Sequence, residues 1–296
     1  MRTETTCRSS IKLPQVIFVT GKGGTGKSTV AVALALALSR ARAVTLVELD
    51  PRRSSADGGG PASPLAGGNF EYRALTARAE LQAFIERIVP LRAISRRLLQ
   101  SRTFGLVAAA LPGLEAFLML ARIRLMAVAE HRDRTLVIDA AATGSALEML
   151  SVADGVQRLA PFGTLNRLAA EVDEFIREGE RFGVLLTLRA EELALREALA
   201  APPALTALGI RCIGAVLNGA TPALFSAQEL TRLDGLEDHR RLAQARRTAA
   251  AEMLRAKREL RRAGLEVVTL PTLFRPALAQ PEFEALADAF AASGIA

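Results

Sequence analysis

The densest chemistry in the chain lies in eight consecutive residues, Gly21-Lys22-Gly23-Gly24-Thr25-Gly26-Lys27-Ser28. They fit the spacing G-x-x-x-x-G-K-[ST], in which glycines let the backbone curl until its N–H groups point inward at a phosphate. A helix beginning near Lys27 adds the positive end of its dipole. In such a loop Lys27 reaches the β and γ phosphates of a nucleotide and the Ser28 hydroxyl ligates Mg²⁺. Gly21, Gly23, Gly24, Thr25, Gly26 and Thr29 complete the cradle. A chance match in a chain of this length is expected at roughly one per cent. Lysine usage sharpens the reading. Of four lysines (Lys12, Lys22, Lys27 and Lys257), two fall in this loop, in a chain that otherwise uses arginine. A compact ammonium suits a phosphate cradle. Asp139 ends the apolar run Leu136-Val137-Ile138. The C-terminal tip of a parallel strand borders the crevice where such sheets bind ligands, so Asp139 is expected to hold Mg²⁺ through water.

These groups need a sheet to position them. Residues 16–20 (VIFVT) read as a strand, 29–39 as an apolar helix and 43–49 as a second strand. Strand, loop, helix and strand in so short a span form a βαβ unit and imply a parallel sheet. Further strand-like runs at 135–139, 183–188, 211–218 and 266–270 each lie between helical patterns. The expected fold is α/β: a doubly wound, mostly parallel sheet of P-loop NTPase type with a helical insertion. That insertion, about 77–130, carries Leu81, Phe84, Ile85 and Ile88 at helical spacing before Pro90, with Leu98, Leu99 and Phe104 continuing. Residues 228–262 read as a second helical region and 54–68 as a flexible loop. Residues 1–15 are taken as a flexible N-terminal segment and 16–296 as a single domain.

At 296 residues and 50% hydrophobic content, the chain can bury a large core. The two cysteines, Cys7 and Cys212, cannot build a disulfide framework or a zinc knuckle, which suits a reducing compartment. Residues 1–15 lack an apolar signal core. The apolar stretch 106–128 is interrupted by Pro112, Gly113, Glu115, Arg122 and Arg124, which argues against a bilayer span. A cytoplasmic chain with no integral membrane segment is expected. The net charge of +7 is spread as arginines among Glu and Asp, which reads as solvated helix faces. Electrostatic binding to nucleic acid or an acidic membrane is the alternative.

The run GKGGTGKS, with a second lysine after the first glycine, resembles the deviant P-loop of the ParA, MinD and arsenite-transporting (ArsA) ATPases. The resemblance implies that Lys22 reaches across a dimer interface to the partner's nucleotide. The alternative is a lysine beside the phosphates of its own subunit. Asp139 to Leu147 (DAAATGSAL) resembles the D-T-A-P-T-G-H-[TA]-L switch segment of the ArsA family, which includes the tail-anchored-protein targeting ATPases. Asp139, Ala141, Thr143, Gly144 and Leu147 match, whereas Ala140, Ala142 and Ser145 depart. Asp50-Pro51 resembles the D-P-A-x-N switch, which implies that Asp50 positions the attacking water. Its other reading is a turn cap before Pro51. On this resemblance Lys22, Lys27 and Asp50 are the candidate catalytic residues.

Further along, Pro112-Gly113-Leu114-Glu115 resembles the family's P-G-x-x-E, and residues 186–198 resemble its T-x-P-E-E segment. Val216-Leu217-Asn218 resembles its V-V-N strand end, which implies that Asn218 reads adenine; a turn role is the alternative. Leu270-Pro271-Thr272-Leu273 resembles the loop that flanks the base, which brings in Pro271. No N-K-x-D signature follows Asn218, so ATP is expected rather than GTP.

The resemblance implies ATP and Mg²⁺ as cofactors and a homodimer, or a heterodimer with a paralogue. Two distant cysteines cannot supply the thiolates of an arsenite site, and no C-x-x-C clamp is present. Three readings stay open. One is a dimeric ATPase whose helical insertion holds a protein client. The second is a ParA-like positioning ATPase that binds nucleic acid through arginines 240–262. The third is a weakly active regulatory paralogue.

Overall fold

The computed structural model describes residues 12–49, 69–88, 113–159, 161–222, 224–233, 236–274 and 278–294. Cys7, Asp50, Pro51, Pro90, Leu98, Leu99, Phe104, Pro112 and the stretch 54–68 lie outside these residues, as do the side chains of Ile85 and Ile88.

Among the described residues, seven strands form one sheet. They are β1 (Val16–Thr20), β2 (Val44–Leu49), β3 (Phe70–Leu75), β4 (Thr135–Asp139), β5 (Phe182–Leu188), β6 (Cys212–Ala220) and β7 (Val267–Pro271). Their order is β3-β2-β4-β1-β5-β6-β7, and every pairing is parallel. The chain order reverses on either side of β1, so loops leaving neighbouring strands diverge at that point and open a crevice at the strand tips.

Alternation along β1 builds a core on each side of the sheet. Val16 and Phe18 join one apolar cluster and Ile17 and Val19 the other, all of them fully buried. Burying each such side chain contributes about 1.5–3 kcal/mol. The second cluster packs α1 (Lys27–Ser39) between the sheet and α9 (Gln280–Ala292). With neighbours on two sides, α1 is apolar nearly all round, and its run from Val30 to Ala35 is wholly buried.

The opposite face carries most of the other helices: α2 (Ala77–Ile88), α3 (Leu114–Leu125), α4 (Thr143–Leu159), α5 (Thr164–Arg177), α6 (Glu192–Ala207) and α8 (Glu237–Arg262). The short α7 (Ala227–Thr231) precedes α8. An aromatic chain ties β1, β5 and α5 together. Phe18 and Phe182 have ring centroids 5.7 Å apart, and Phe182 meets Phe175 edge-on at 6.1 Å.

Strand β3 departs from the sequence reading, which has no strand at 70–75. It is an edge strand, and only Phe70 and Leu75 are buried, so its apolar signature is weak. Arg134 holds the adjoining corner by donating to Val44 O at 2.7 Å and Asn69 O at 3.2 Å. Helices α2 and α3 occupy the described parts of residues 77–125, and α3 runs into a π-helical turn at Met126–Glu130. No helix among the described residues is long and apolar enough to cross a membrane.

Candidate functional site

Between β1 and α1 the chain turns through the glycine loop, and packing explains two of its glycines. Gly21 crosses β5 so closely that a Cβ there would lie 1.9 Å from the Thr187 carbonyl oxygen. Gly26 is the N-cap of α1 with φ 87°, a left-handed conformation that L side chains resist, and its added Cβ would meet Asn218 Nδ2 at 2.3 Å. Gly23 has open space around its Cα and Gly24 sits beside it at the exposed crest.

The buried Thr25 closes the turn, its hydroxyl donating to Lys22 O at 2.7 Å. From β6, Asn218 Nδ2 donates to Thr25 O at 2.9 Å and ties the loop to the far side of the sheet. No side chain caps α1, and its first turn carries no acidic residue. The first amides of the helix and its dipole are therefore directed at whatever anion the loop admits.

On the other flank Asp139 ends β4, with Val19 of β1 and Glu48 of β2 as its register partners. The Ser28 side chain lies beside its carboxylate and favours the charged form. Burial, reinforced by the neighbouring Glu48 charge, pushes the Asp139 carboxyl up to about 6 against the opposing effects of Ser28 and Lys27. Tyr72 on β3 donates to Glu48 Oε2 at 2.6 Å and fixes that second carboxylate.

This is a donor set that suits Mg²⁺: a hydroxyl and nearby carboxylates, all oxygen, beside a phosphate cradle. Among the described residues no three His, Cys, Asp or Glu side chains converge as a chelating group. A cation here would therefore draw its remaining ligands from phosphate oxygens and water. The floor of this side is tied to the loop, because Thr20 Oγ1 donates to Ala141 O at 2.7 Å and Ala140 N to Val19 O at 3.1 Å.

Beyond the loop, on the β6–β7 side, lies an open cavity of about 260 Å³. Gly24, Thr25, Gly26 and Thr29 form one wall, Asn218 and Arg189 another, and the segment from Pro271 to Leu273 a third. A phosphate cradle, a carboxylate–hydroxyl pair and a half-apolar cavity thus lie in one line across the strand tips.

Residues 16–268 match the family model of the CobQ/CobB/MinD/ParA nucleotide binding domain, CbiA. The chain belongs to that family. No curated protein matches it closely enough to be called a relative. As a CbiA-family domain it is a P-loop nucleotide-binding protein, and its parallel sheet with flanking helices is the P-loop NTPase fold. The family is wider than the ArsA type, and the narrower assignment rests on the sequence motifs alone.

Most of the residues singled out in the sequence converge in this CbiA-family site. Gly21 to Thr29, Asp139, Asn218 and Pro271 all border it. Lys22 is half-exposed on the crest, its carbonyl holding Thr25. Asp50 falls outside the described residues; β2 ends at Leu49, immediately before it. Glu191 and Glu192 do not join the site. Glu191 pairs with Arg189 at 3.1 Å, and Glu192 pairs with Arg196 at 3.0 Å and with Arg255 at 3.7 Å. Two site residues escape the sequence reading, Glu48 and Arg189. The only local signal for Glu48 is an acidic residue inside the apolar run VTLVEL. Arg189 carries none.

Proposed function

We propose that the chain is an ArsA-type ATPase that binds Mg-ATP, hydrolyses it and couples the nucleotide state of a dimer to its helical region. The observation that carries this reading is the line of cradle, Ser28–Asp139 pair and cavity across the strand tips. In it, Lys27 and the loop amides hold the β and γ phosphates, and Asn218 and Pro271 flank an adenine. Ser28 and Asp139 would hold Mg²⁺, which when bound neutralises charge building on the phosphate oxygens. Asp50 orients the attacking water, as the motif resemblance implies. Catalysis of this kind is positioning and electrostatics, so the rigidity of the loop matters more than any covalent step.

Packing supports the coupling. The segment after Asp139 runs directly into α4, and a Cβ on Gly113, the N-cap of α3, would meet Val152 of α4 at 2.2 Å. With so little slack, a shift of the Asp139 segment is passed to α3 and α2, which pack on each other. A protein client on that region, a homodimer or a heterodimer with a paralogue, and a cytoplasmic setting complete the proposal.

A second reading draws on the MinD and ParA members of the matched family and on the arginines of α8. It predicts ATP-dependent retention on DNA or anionic vesicles that collapses as salt rises. The third, a weakly active regulatory paralogue, predicts ATP binding with almost no turnover.

The test uses purified parent, Lys27→Ala and Asp50→Asn. Lys27→Ala is expected to lose about 100-fold or more in ATP affinity, as removal of several charge-assisted contacts implies. Asp50→Asn is expected to bind and not turn over. Hydrolysis by Lys27→Ala at the parental rate would overturn the assignment.

A further inference from the structure

We infer that Arg189 is the planar wall of the nucleobase subsite, laying its guanidinium against a purine ring and setting the affinity of the site for the base. The inference rests on the nucleotide reading above and names the group that recognises the base within it.

Three observations carry it. Arg189 emerges immediately after β5 and lines the same 260 Å³ cavity as Thr29, Asn218 and Pro271. Its guanidinium carbon lies 3.8 Å from where a side chain on Gly219 would begin, and Gly219 has φ 79°. A glycine at that point leaves no side chain between the guanidinium and the tip of β6, and its positive φ disfavours any residue with a side chain. Finally, Glu191 Oε1 holds Arg189 Nε at 3.1 Å, which restrains one edge of the guanidinium plane.

The composition of the cavity makes this plane matter. A purine gains affinity from a flat, polarisable partner. Among the described residues, the cavity wall includes glycines, threonines, leucines, Asn218 and Pro271 but no aromatic ring, and Arg189 is the one extended delocalised side chain there. Guanidinium groups stack on flat π-systems, whereas an ammonium acts as a compact point charge. The phosphate tail has its own cation in Lys27 of the loop, whereas Arg189 is grouped with the Asn218 and Pro271 walls.

Calorimetric titration of the full chain in Mg²⁺ buffer with ATP, and separately with inorganic triphosphate, tests this. The proteins compared are the parent, Arg189→Ala and Arg189→Lys. Arg189→Ala is expected to lose about 3- to 30-fold in ATP affinity, with triphosphate affinity unchanged and Arg189→Lys close to Arg189→Ala. Unchanged ATP affinity in Arg189→Ala overturns the inference. So does a parallel loss for triphosphate, or full rescue by lysine, since either assigns the side chain to the phosphates. A parent that binds neither ligand overturns the nucleotide reading and this inference together. A parent that binds triphosphate and ATP equally well overturns the base subsite alone.

Discussion

Replacing Asp139 by asparagine is expected to stabilise the ligand-free protein at neutral pH while weakening its response to Mg-nucleotide. In the folded chain this carboxyl is raised from 3.8 to about 6, chiefly by burial. A carboxyl whose proton is held more tightly in the fold than in the unfolded chain adds no penalty below about pH 4, where both states are protonated. Between about pH 4 and 6 the unfolded chain gives up the proton first, and stability falls as pH rises. Above about pH 6.5 the penalty is complete. The rise from 3.8 to about 6 sets a ceiling of about 3 kcal/mol. Residual exposure of the carboxylate, and loss of the favourable effect of Ser28 on its charged form, bring the expected gain to about 1–2 kcal/mol.

Urea denaturation of parent and Asp139→Asn from pH 4 to 8, in chelator and without nucleotide, measures the difference. The variant's advantage should grow from near zero at pH 4 to a plateau above about pH 6.5. Adding Mg²⁺ and ATP should reverse the order, because a ligand present at about 100 times its Kd stabilises the binding form by about 2.7 kcal/mol. A variant less stable than the parent at pH 7.5 without ligand, or a difference flat across pH, would refute the reasoning.

Other substitutions probe the loop and its anchors. Gly21→Ala drives a methyl into the Thr187 carbonyl and should cost about 3 kcal/mol or more, read as a lower urea midpoint or loss of soluble protein. Gly23→Ala, which meets nothing in the protein, should leave stability within about 0.5 kcal/mol yet weaken ATP binding in calorimetry, because the backbone must approach the phosphates closely. Asn218→Ala removes the tether to Thr25 O and should cost about 1 kcal/mol in stability, with a several-fold loss of ATP affinity by titration. Lys22→Ala should leave nucleotide binding by the monomer nearly intact and reduce dimerisation with a non-hydrolysable analogue. Parent and variant sedimenting alike as dimers would remove the role in trans.

Much of this architecture is legible along the chain. The glycine spacing and the lysines announce the cradle, because a loop that curls around a phosphate is local and every residue it needs lies within eight positions. Strands such as VIFVT and TLVID stand out because both faces of a central parallel strand are buried. Strand β3 stays hidden for the converse reason. At the sheet edge, Glu71 and Arg73 keep partners and solvent, so the alternation is blurred.

Which distant groups meet at the cradle is decided only when the sheet assembles in the order β3-β2-β4-β1-β5-β6-β7. That order sets Glu48 beside Asp139, lays Thr187 under Gly21 and carries Asn218 to Thr25 across 193 positions of sequence. It also brings Arg189 to Gly219. A pattern along the chain records what each residue prefers next to its immediate neighbours. Charge coupling, close backbone approach and the walls of a cavity depend on distances between strands, and those come into being with packing.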